Sequence, residues 1–68
     1  MDSTQRLAKI IASSPTNRAM AVGLLSDVGR RKGTVLQFTA RAMTFEELAT
    51  SLQVHGWATW DEVTRTLS

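Results

Sequence analysis

GTVLQFTAR, Gly33 to Arg41, follows directly on Arg30-Arg31-Lys32, and the reading of these nine residues decides the fold. From Leu36 the apolar positions are Leu36, Phe38 and Ala40, while the polar ones are Gln37, Thr39 and Arg41. Period two over six residues predicts a short strand with one buried face. The segments on either side read as helix. A lone strand leaves backbone donors and acceptors that need a partner.

Upstream, Leu7, Ile10 and Ile11 fall at helical spacing, which predicts a helix from about Ser3 to Ser13 with Asp2 or Ser3 as its cap. Pro15 ends it and starts the next helix, with Ser14 as cap. Met20, Ala21, Leu24, Leu25 and Val28 line one face of that second helix. It stops either at Gly29 or at Gly33, and in the second case Arg30, Arg31 and Lys32 complement the carbonyl end of its dipole. Downstream, Thr44-Phe45-Glu46-Glu47 is a capping box opening a third helix on Phe45, Leu48, Ala49 and Leu52, closed by Gly56. Thr59-Trp60-Asp61-Glu62 repeats the device for a fourth helix, with Trp60, Val63 and Leu67 on its stripe. The fold class expected is mostly α: one small domain, residues 1–68, in the order α-α-β-α-α.

At 68 residues the chain has room for one modest core. It contains no Cys, and His55 is the only His, so disulfides are excluded and a zinc site has too few ligands. A helical core or oligomerisation must supply the stability instead. The lack of Cys fits a cytoplasmic protein, and neither a secretory signal nor a membrane-spanning apolar run is expected. Charge is uneven. Residues 1–41 hold seven Lys and Arg against two carboxylates, a net +5, and residues 42–68 hold one Arg against four carboxylates, a net −3. Such asymmetry predicts a basic face able to meet phosphate, although the same cations also serve as an ordinary solvated surface.

A catalytic set is not marked. His55 sits beside Gly56 at a helix end, where a partial positive charge suits the dipole, and no nucleophile is paired with it by spacing. The glycines are single, so no phosphate-cradling loop is expected. The reading is of a protein that is not an enzyme, with no cofactor and no small-molecule substrate.

Two DNA-binding patterns fit the second half. Thr44 to Val54 resembles the first helix of a helix-turn-helix, but the would-be recognition helix opens on Trp60-Asp61-Glu62, whose carboxylates repel phosphate. Residues 35–68, as strand, helix, Gly-containing turn and helix, resemble the ribbon-helix-helix family of small phage and plasmid repressors. That resemblance implies a homodimer in which two strands pair antiparallel and enter the major groove. Gln37, Thr39 and Arg41 would then face base edges, which Gln, Thr and Arg can read. Arg30, Arg31 and Lys32 would add phosphate contacts. The function expected is a small DNA-binding transcriptional regulator of phage or mobile-element type. The alternative from another class is a helical module that binds a host protein without catalysis, with Trp57, in a turn, as its exposed anchor and Trp60 in the core.

Overall fold

The longer helices begin where the sequence supplies a cap, whereas the short one that opens on Val35 has no side-chain cap. The computed structural model describes residues 2–67, in the order α1 (Ser3–Ala12), α2 (Pro15–Lys32), α3 (Leu36–Thr39), which runs on into a 3-10 turn (Ala40–Ala42), α4 (Phe45–Val54) and α5 (Trp60–Leu67). Asp2 caps α1 by accepting from the Gln5 amide. Ser14 caps α2 by accepting from Asn17, with Pro15 at the first helical position. Gly29 is carried inside α2, and Gly33 closes it in the left-handed region at φ 69°.

The capping box of α4 is complete: the Glu47 amide donates to Thr44 Oγ1 at 3.1 Å, and the Thr44 amide donates to Glu47 Oε1 at 2.9 Å. The bond from the Thr44 amide first, and the nearby Thr44 hydroxyl second, hold the Glu47 carboxyl below its ordinary pKa. A depressed carboxyl stabilises the fold fully above its unfolded-state pKa, and the contribution disappears as pH falls through the folded-state value. Thr44→Ala is expected to cost about 1 kcal/mol in urea unfolding at neutral pH. The gap between variant and parent should narrow in acid. A gap that widens in acid would contradict this sign.

At its other end α4 is closed by Gly56 at φ 104°. The Trp57 amide donates to the Leu52 carbonyl at 2.8 Å and the Gly56 amide to Gln53 at 3.1 Å, the paired bonds of a Schellman cap. That cap turns Trp57 back against the core, on which Trp60 also packs. At the start of α5 the Glu62 amide donates to Thr59 Oγ1, while the Glu62 carboxylate accepts from the Ala58 amide. The return bond thus reaches one residue further back than in a capping box.

Leu7, Ile11, Leu25, Leu48, Leu52 and Val63 are the large side chains fully withdrawn from solvent. They come from α1, α2, α4 and α5, so four helices share one core. α1 lies against α4 and is latched by a side-chain chain in which Thr4 Oγ1 donates to Gln53 Oε1 and Gln53 Nε2 donates to Ser3 Oγ. The accessible surface is 4274 Å², close to the roughly 4,200 Å² of a well-packed monomer of this mass. The core therefore closes within one chain.

The expected strand is not formed, and no strand is present among the described residues. Residues 36–42 are helical instead. Leu36 and Ala40 are four apart, so they share a face in a helix as well as in a strand; Phe38 separates the two readings. A strand would bury it with them, whereas it is 76% exposed while Ala40 is fully buried. The physical reason is local. After the left-handed turn at Gly33 the Thr34 amide donates to the Gly29 carbonyl at 2.9 Å, folding the chain back on α2. Phe38 and Thr39 amides then both donate to the Val35 carbonyl, so the backbone is satisfied without a partner chain. Leu, Gln, Arg, Met and two Ala between Leu36 and Met43 are helix formers that favour this outcome.

Candidate nucleic-acid interface

The cations of residues 30–41 lie on a ridge made by α3 folding back along α2. At one end, α3 rests on α2 at Gly29, where the Gln37 amide and Leu36 leave no room for a Cβ. At the other, one terminal nitrogen of Arg18 donates to the carbonyls of Arg41 at 3.0 Å and Met43 at 2.9 Å. Arg18 and Gly29 are 11 residues apart on one helix, about 16 Å along its axis, and the long Arg18 side chain covers part of that span. Arg18 also lies over the Phe45 ring, 5.3 Å from its centroid. It is a tie between α2 and the entry to α4 that nothing in the local sequence announces.

Arg30, Arg31 and Lys32 form the last turn of α2 and are exposed. Asp27 accepts from both arginines, Arg31 at 2.9 Å and Arg30 at 3.4 Å. Lys32 Nζ lies 3.3 Å from His55 Nδ1. Arg41 is exposed on the 3-10 turn, at the far end of the ridge. The four cations expected together are thus divided into a cluster of three on the last turn of α2 and a fourth on the 3-10 turn.

Gln37 and Thr39 do not share a polar face with Arg41. Gln37 is half-buried with Nε2 donating to the Thr34 carbonyl, and Thr39 Oγ1 donates to the Val35 carbonyl. Thr39 is nonetheless exposed, and Val35 and Phe38 also face outward with Arg41, at three-residue spacing along the helical run. The alternation that predicted a strand concealed this apolar ridge.

Trp57 is half-buried, packs on the core, and donates its indole N–H to Thr66 Oγ1 at 3.0 Å. The expected division between a core Trp60 and an exposed Trp57 is not seen: both are half-buried. A groove of about 220 Å³ is lined by Val28, Arg31, Lys32, His55 and Trp57. It sits where α2 and α4 both end, so its cations complement two sets of helix carbonyls. The carboxylates of the C-terminal third cap helix N-termini, Glu46 and Glu47 on α4 and Asp61 and Glu62 on α5. That places negative charge where a helix-turn-helix would approach phosphate. Among the described residues no cluster of three or more His, Cys, Asp or Glu could hold a metal, and no helix is long and apolar enough to cross a membrane.

Comparison with known proteins returned no significant match: no family model matches the chain, and neither a curated protein nor a solved structure does.

Proposed function

We propose that the protein binds DNA through phosphate contacts made by Arg30, Arg31, Lys32 and Arg41. The observation that carries this reading is the exposure of all four cations on a stretch, Val28 to Phe45, that holds no carboxylate. Asp27 at its edge pairs with Arg30 and Arg31, and an exposed ion pair of that kind is worth at most about 1 kcal/mol. Each guanidinium keeps further N–H donors for a phosphate. Gln37 and Thr39 bond to backbone carbonyls of their own turn, so the proposed contact is phosphate-directed and tolerant of sequence. It also needs no pairing of strands between two copies.

Four phosphate contacts give a salt slope of about −3.6, so affinity for duplex DNA should fall roughly 100-fold between about 50 and 200 mM salt. Arg41→Ala should reduce the slope by about 0.9. Filter retention measures both, and no retention at the lower salt would sink the proposal. A second reading is favoured by Val35 and Phe38, which are 68% and 76% exposed side by side. Without DNA retention, that ridge would serve a protein-binding module with no catalysis, anchored there rather than at Trp57.

A further inference from the structure

We infer that the nucleic acid taken by this ridge is single-stranded, with an unpaired base stacked on Phe38. The inference rests on the DNA-binding reading and specifies the form of its ligand. Of the four aromatic side chains, Trp57 and Trp60 pack against the core and Phe45 lies beneath the Arg18 guanidinium. Phe38 does neither, and three quarters of it faces solvent. An exposed apolar residue is ordinary in isolation. Here its position is what carries weight.

Val35, Phe38 and Arg41 recur every three residues on the outer side of α3 and the 3-10 turn, with Leu36 and Ala40 turned inward. A cation therefore follows the ring by one helical turn, and α3 rests on the same end of α2 that bears Arg30 and Arg31. Single strands are held by this combination, in which an aromatic face accepts any base while neighbouring cations follow the phosphates. In a duplex the base faces are already stacked on one another, and a surface ring reaches them only by prising a step apart, at the cost of its stacking energy. The charges bind either form; the ring distinguishes them.

The exposure of Phe38 makes the test clean, because replacing it removes no core contact. The affinity of the full chain for an oligothymidylate of about 12 nucleotides, a length within reach of one small domain, is compared with that for a duplex at the same low salt. The single strand should bind more tightly. Phe38→Leu keeps the apolar bulk but loses the π face, and should weaken oligothymidylate binding by about 5- to 100-fold while leaving duplex binding unchanged. Phe38→Trp should retain the preference. All three proteins should unfold at the same urea concentration. Equal binding by the Leu variant would overturn the inference, as would a parent protein with no preference between the two forms. In both cases salt-sensitive duplex retention would still uphold the broader DNA-binding reading. Binding to phosphatidylserine vesicles with none to either nucleic acid would overturn both.

Discussion

Gly29→Ala should destabilise the protein by about 2 kcal/mol, although the same change in an open helix is a gain. Alanine is favoured over glycine in a helix interior by about 1 kcal/mol. At Gly23 nothing lies within 4 Å of an added Cβ, so Gly23→Ala should realise most of that gain. At Gly29 the added carbon would stand 2.4 Å from the Gln37 amide nitrogen and 2.8 Å from Leu36 Cβ. The first of these is backbone and cannot rotate away. Overpacking of this kind costs about 1–3 kcal/mol or more, which outweighs the propensity term. In a domain of this size each kcal/mol moves the melting temperature by about 4–8 °C, so the two variants should separate clearly, in opposite directions. A stabilising Gly29→Ala would mean that α3 does not rest on α2, and the ridge proposed for binding would lose its support.

Leu52→Ala should cost about 3–4 kcal/mol, while Phe38→Ala should change stability by less than about 0.5 kcal/mol. Leu52 has no exposed surface and sits at the closing turn of α4, its carbonyl held by the Trp57 amide. Removing its branched carbons leaves a cavity where four helices meet, in a domain whose whole stability is roughly 3–10 kcal/mol. Phe38 is the larger side chain, and in a buried strand its truncation would cost about 3–5 kcal/mol. Urea unfolding of the pair therefore separates the two readings of residues 36–42 on stability alone. A large loss in Phe38→Ala would show that a partner, such as a second copy, covers the ring in solution.

The two predictions concern one segment because that is where local signals ran out. Helix starts were legible at Ser14 and Thr44, and at Asp2 as one of two choices, since a cap is a bond between residues three apart. The role of Gly33 was legible as one of two choices, and the bond from the Thr34 amide to the Gly29 carbonyl decided it. The basic character of residues 30–41 was plain from composition. How it is displayed was not, because a set of apolar positions at 36, 38 and 40 satisfies period two fully and the helical repeat at two of its three members.

By itself, the sequence determined a small, mostly helical, Cys-free domain, most of the caps that open its helices and the basic segment at 30–41. It also determined the stripes that fill the core, apart from Phe45 and Leu67, which end up exposed. These are properties of residues within about one helical turn of each other. Only the tertiary structure decided that the segment is a helix and not a strand. It also decided that Arg18 reaches across to the carbonyls of Arg41 and Met43, and that Phe38 faces outward. Those outcomes depend on a contact without a Cβ at Gly29 and on backbone groups finding partners within the same chain. Periodicity says which residues can share a face; the surface they meet decides which face is buried.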